Sequence, residues 1–220
     1  MPKAPFDIDE VFHRLRTTCA TLPKAAMFQL RDEGYDTPFE QLVASLVSVR
    51  TYDETSIPVC HRIFARARTP ADMAALEKSE LVTLLHGATF PEPKARDILA
   101  LSRTIRDDHN GTVPDTAEGL TQFRGVGPKV AALTLAVGFS TPAICVDIHV
   151  HRVTNRWGYV AAPTPERTQA ALAAKLPQKY WIEINERLVP FGKHVCTGPR
   201  PRCETCPLLS MCPQVGVVPA

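Results

Sequence analysis

Apolar residues recur along this chain at helical intervals, and each run opens on a capping signal. In 37-TPFEQLVASLVSVR-50, Phe39, Leu42, Val43, Leu46 and Val47 fall at i, i+3, i+4, i+7 and i+8, the spacing of one buried helix face. Thr37 can cap the start, Pro38 suits the first helical position and Glu40 completes a capping box. The same grammar returns at TPAD from Thr69 and at DTAE from Asp115, each a capping residue with an acid three positions later. In PEPKARDILALSRTIRDDHNG, from Pro91, residues Ile98, Leu101 and Ile105 share a face and Asn110-Gly111 stops the helix. Alternating β-branched strands are absent, so the pattern predicts an all-α fold of about ten helices joined by short loops.

No low-complexity linker or internal repeat divides the chain. The best internal punctuation is FSTPAIC, residues 139–145, which interrupts the helical periodicity, and the tail beyond Cys212, PQVGVVPA, has no helical pattern and is expected to be mobile.

Composition narrows the class without naming a function. The chain has 220 residues, 45% hydrophobic and 22% charged, as in an ordinary globular protein, with a formal net charge of only +2. Any polyanionic partner must therefore be recognised by local basic patches. No apolar run approaches the roughly 20 residues that span a bilayer, and the N-terminus lacks a secretory pattern, which predicts a cytoplasmic protein with no membrane contact. In a reducing compartment seven cysteines point to metal ligation or free thiols before disulfides. Cys19, Cys60 and Cys145 stand singly and read as buried small hydrophobes.

The other four are concentrated in 196-CTGPRPRCETCPLLSMC-212. Structural zinc usually takes two CxxC-like pairs, whereas here only Cys203 and Cys206 form one, and the gaps to Cys196 and Cys212 are intermediate. A compact loop visiting the corners of a 4Fe-4S cluster fits these unequal gaps better than zinc, with two disulfides as the remaining alternative. The segment is too poor in apolar residues to fold alone, so metal would supply its folding energy. Lys193, Arg200 and Arg202 either face phosphates or balance the thiolate charge.

A second stretch, 123-FRGVGPKVAALTLAVGF-139, places Gly125-Val126-Gly127 in a tight turn before a helix opened by Pro128. Backbone N–H groups at such a helix start hold an anion, and DNA backbone in particular, without reading sequence. The pattern is that of a helix-hairpin-helix. Lys129 lies in the first turn, where the positive end of the helix dipole disfavours the ammonium form, and a neutral amine is a nucleophile. In 146-VDIHVHRVTNRWG-158, Asp147 can cap a helix whose Val150, Val153 and Trp157 face inward, which fixes a carboxylate rigidly. His149, His151 and Arg152 add donors nearby.

In their order and separation GVGPK, VDIH and the cysteine spacing resemble the endonuclease III family of helix-hairpin-helix DNA glycosylases, from about Thr37 to Cys212. The resemblance implies an all-α protein of two lobes. One is a helical bundle over residues 31–141 that carries the hairpin, and the other joins residues 1–30 to 142–220 around a 4Fe-4S cluster on Cys196, Cys203, Cys206 and Cys212. It implies a monomeric, nucleoid-associated enzyme of bacterial type, acting on double-stranded DNA with damaged bases or abasic sites. Lys129 matches the family's Schiff-base lysine and Asp147 its catalytic aspartate. A lysine at this position points to a bifunctional glycosylase and AP lyase for oxidised or saturated pyrimidines. An adenine-specific mismatch glycosylase lacks it. A lesion-binding protein that keeps the fold and cluster but catalyses weakly is the alternative.

The resemblance also assigns DNA contacts. Arg50 stands where a glutamine normally fills the gap left by the flipped base, while Asp53 fits the family pattern. Phe90 takes the position of a second wedge, with a core aromatic as the alternative reading, on a loop stiffened by Pro91 and Pro93. Arg124 replaces a proline usual before GVG, and Thr121 stands where an acid is common.

Overall fold

A computed structural model describes residues 3–217. Among them there is no strand, and the chain forms twelve α-helices with two single-turn 3-10 helices, Gln178–Tyr180 and Cys203–Thr205. The order is α1 (Ile8–Cys19), α2 (Ala26–Asp32), α3 (Pro38–Ser48), α4 (Asp53–Arg66), α5 (Pro70–Ala74), α6 (Lys78–Leu84), α7 (Pro91–Asp108), α8 (Ala117–Thr121), α9 (Pro128–Gly138), α10 (Ile148–Arg156), α11 (Pro165–Lys175) and α12 (Glu183–His194). Two compact units result, Ala26–Ala143 and Met1–Ala25 with Ile144–Ala220, the second break falling inside FSTPAIC. No helix of the described residues is long and apolar enough to cross a membrane.

In the unit 26–143, α3 is the central post. Its expected face is buried, but so are Glu40, Gln41, Ala44 and Ser45 on its other sides, because α2, α4, α7 and α9 all pack on it. Glu40 is tolerated there because it closes the capping box with Thr37 and pairs with Arg68. Helix α9 is apolar nearly all round and lies along α3. Its last residue, Gly138, permits the approach: a Cβ there would fall 2.9 Å from Pro38 Cα.

Helix α7 buries Ile98, Leu101 and Ile105 and ends as its sequence indicates. Asn110 and Gly111 are left-handed, and the Gly111 N–H donates to the Ile105 carbonyl at 2.8 Å. Thr69 caps α5 through the Asp72 N–H at 3.1 Å. For α8 the cap lies one residue beyond the expected Asp115. The Thr116 hydroxyl accepts from the Gly119 N–H at 3.1 Å, and Gly119 lacks the Cβ that would meet Pro114 at 2.8 Å.

In the second unit α1 packs on α12, and α10 is flanked by α11 and α12. Phe12 stacks on Tyr180 with ring centroids 3.8 Å apart, and Val150, Val153, Trp157, Leu188 and Phe191 fill the centre of this core. The tail is held where mobility is expected from its sequence. Lys3 Nζ donates to the carbonyls of Leu209 and Cys212 and to Gln214 Oε1, while the Val215 N–H donates to the Arg156 carbonyl. Residues 218–220 lie outside the described residues.

Gly138→Ala forces α9 away from α3, and we expect it to cost about 1–3 kcal/mol, read as a lowered midpoint in thermal unfolding.

Candidate active site and cysteine pocket

The hairpin between α8 and α9 is built by glycine. Gly125 is left-handed at φ 83° and sits on α7, where an added Cβ would lie 3.0 Å from Asp97 Oδ2. Val126 is buried and anchors the turn from below, so only its backbone faces outward. Gly127 is the N-cap of α9 and offers no side chain to its orphan N–H groups. Lys129, the second residue of α9, is exposed. Arg124, also exposed, reaches Asp97 at 3.3 Å and braces the turn.

Asp147 is the N-cap of α10. Its Oδ1 accepts from the N–H groups of His149 at 2.9 Å and Val150 at 2.8 Å, so both capping bonds fall on one carboxylate oxygen. The capping reading of this residue therefore holds, and it is compatible with a second use. The helix is fixed from behind by contact with α12, where a Cβ on Gly192 would fall 2.8 Å from His149 Cβ. Lys129 and Asp147 belong to different units.

Cys196, Cys203, Cys206 and Cys212 line one pocket with Trp157, Phe191 and Leu209. All seven cysteines are free thiols, and Cys19, Cys60 and Cys145 are buried apart from this group. Cys206 is pushed up to about 11, first by burial and then by the other three thiols of the pocket. Burial also raises Cys212. Four thiolates gathered in so apolar a place repel one another unless cations lie between them. Among the described residues, no three Cys, His, Asp or Glu side chains converge on a point that one ion could occupy.

Two arginines four residues apart on α10, only one of them singled out by the sequence as a donor, hold this loop. Arg152 donates to the carbonyls of Gly192 at 2.8 Å and Cys196 at 3.2 Å, and Arg156 to Thr197 and Gly198 and to Cys196 Sγ at 3.6 Å. Arg200 and Arg202 are exposed, Arg202 while also lining the cysteine pocket, and Lys193 is half-buried at the end of α12.

Arg50 and Phe90 are exposed, Phe90 by 58%, which excludes a core aromatic. Both are left-handed, at φ 56° and 54°. Their loops are stitched together: Thr51 Oγ1 and Thr89 Oγ1 lie 3.0 Å apart, and the Thr89 hydroxyl also reaches the carbonyls of Val49 and Arg50 at 3.2 Å. Asp53 opens α4 beside them.

Fold and hairpin define a class, the helix-hairpin-helix proteins of DNA repair. Residues 43–178 match the HhH-GPD superfamily of base excision DNA repair proteins. Endonuclease III of Thermotoga maritima is 39% identical over 175 residues, 80% of this chain and 82% of that protein. An endonuclease III in non-covalent complex with DNA superposes with a TM-score of 0.81 at 29% identity, over 94% of each chain. An endonuclease III trapped as a covalent intermediate with DNA gives 0.78 at 28% identity, over 95% of this chain and 97% of that one. The chain belongs to the endonuclease III family within that superfamily.

Asp147→Ala removes the cap of α10 and is expected to cost about 0.5–2 kcal/mol in denaturant unfolding, whereas Asp147→Asn keeps a side-chain acceptor and nearly all of the stability.

Proposed function

We propose that this protein excises oxidised or saturated pyrimidines from duplex DNA and cuts the strand at the emptied site, with Lys129 as nucleophile and Asp147 as its electrostatic partner. The observation that carries the reading is an exposed lysine on the first turn of α9, directly after the Gly125-Val126-Gly127 turn, in a chain of this family.

The chemistry follows from these groups. Backbone N–H donors at the start of α9 hold a phosphate and set the register of the strand. The damaged nucleotide leaves the stack at a cost of a few kcal/mol, least for a base that already stacks poorly. The neutral amine of Lys129 attacks C1′, and the bond from C1′ to the base breaks, the base leaving with the electron pair and taking up a proton. The Asp147 carboxylate stabilises the positive charge that builds on the sugar. The sugar ring opens to an imine on Lys129, which acidifies the C2′ proton. Its removal expels the 3′ phosphate by β-elimination, and water then frees the lysine. Arg50 and Phe90 fill the gap left in the duplex, and Arg200, Arg202 and Lys193 bind phosphates beside the cysteine loop. The enzyme works as a cytoplasmic monomer.

We assign a 4Fe-4S cluster to Cys196, Cys203, Cys206 and Cys212. Four thiols spread around one apolar pocket fit it better than zinc. When bound, the cluster cross-links residues 196–212 and gives the loop a folding energy that its own apolar content does not supply.

Borohydride reduction with abasic duplex DNA should give a covalent adduct that disappears in Lys129→Gln. Asp147→Asn, with its cap intact, should slow lesion excision by about 100-fold or more. DNA binding with no adduct would instead support a catalytically weak lesion-binding protein. The purified protein should be brown with broad visible absorbance, and Cys206→Ser should bleach it; a colourless preparation containing zinc would refute the cluster.

A further inference from the structure

Lys94 is the charged group least at home in its surroundings. It is 8% exposed, on the face of α7 that also buries Ile98, Leu101 and Ile105, and the ionisable group that acts on it is the Cys60 thiol rather than a carboxylate. Burial lowers its ammonium from the ordinary lysine range to about 8, with the Cys60 thiol behind it held neutral, itself pushed by burial to about 12. An unpaired buried charge is costly unless its donors are fully used. Here they are. Nζ donates its three protons to the carbonyls of Val47 at 2.6 Å and Val49 at 2.9 Å and to Thr51 Oγ1 at 2.9 Å, with Thr89 Oγ1 a fourth, longer acceptor at 3.4 Å.

The acceptors have a common address. Val47 and Val49 end α3, whose last turn carries no basic residue of its own, so the ammonium also offsets the negative end of that helix. Val49 and Thr51 flank Arg50, and Thr89 precedes Phe90. Each of these two exposed residues is held in a left-handed backbone that disfavours side chains by about 1–2 kcal/mol, and such strain persists only where its surroundings impose it. One buried amine therefore clamps both strained loops from beneath.

The geometry points to Lys94 as a positioning residue for lesion extrusion: with Thr51 and Thr89 it locks the Arg50 and Phe90 loops into one rigid wedge. The inference rests on the repair reading above only for what the wedge enters. Rigidity at these tips matters most where a stacked base must be driven out of the duplex, and least where the base is already gone.

The test compares Lys94→Met, which keeps length and loses the donors, with Lys94→Arg, which keeps charge and donors. On duplex DNA containing 5,6-dihydrouracil, Lys94→Met should excise about 10- to 100-fold more slowly than wild type and lose the fluorescence rise of a neighbouring 2-aminopurine, with Lys94→Arg recovering most of both. Borohydride trapping on a preformed abasic duplex should stay within about threefold of wild type. Equal loss on both substrates, or loss on neither, overturns the inference. Amide exchange at residues 48–52 and 87–90 should quicken about tenfold in Lys94→Met with the rest of α3 and α7 unchanged, and unchanged exchange at those loops also overturns it. If Lys94→Met does not fold, Thr89→Val must show the same split between substrates and the same local exchange. Failure of wild type to trap abasic DNA overturns the repair reading instead, while the exchange result still decides the clamp.

Discussion

Helix α9 must bury nearly its whole surface and yet keep its first turn in water. It meets both demands because close approach is arranged at its two ends. Gly138 lets the far end lie on Pro38 of α3, and the left-handed Gly125 folds the near end over Asp97 of α7. A helix so placed cannot slide or rotate without losing contacts along its full length. Its first turn, with Lys129, is therefore fixed by packing elsewhere on the helix. The amine owes its position to the core and stays accessible because that turn is exposed.

The same economy governs the other unit. Asp147 is placed by the helix it caps, and α10 in turn is set against α12 at Gly192 and holds the cysteine loop through Arg152 and Arg156. One short helix thus serves the carboxylate at its start and the thiol pocket along its side. Damage to either function through α10 will not stay local.

Much of this was legible in the sequence because short-range physics decides it. Thr37 with Glu40, Asp147 before a helical run, and Asn110-Gly111 after one are local devices, and local spacing reads them. The side-by-side cysteines were legible for a similar reason, since few soft ligands lie elsewhere. Where long-range packing decides, the pattern was silent. One face of α3 was expected to be buried, but four neighbours bury it on all sides. The cap of α8 slipped from Asp115 to Thr116, and the tail was tied down by Lys3, more than 200 residues away in sequence. Lys94 left a signal that could have been used. At 94, 98, 101 and 105 it shares an apolar stripe, and a lysine on such a stripe asks what its ammonium bonds.

The division of the chain has a consequence for its birth. Residues 26–143 are contiguous and can consolidate as soon as they leave the ribosome. Helix α1 precedes them but packs on α12, stacks Phe12 on Tyr180 and donates from Arg14 to the Pro207 carbonyl, so it waits for residues 180–207. Helix α1 is therefore translated before residues 26–143 and placed after them, and the apolar side it carries, with Phe12 and Leu15, stays uncovered in between.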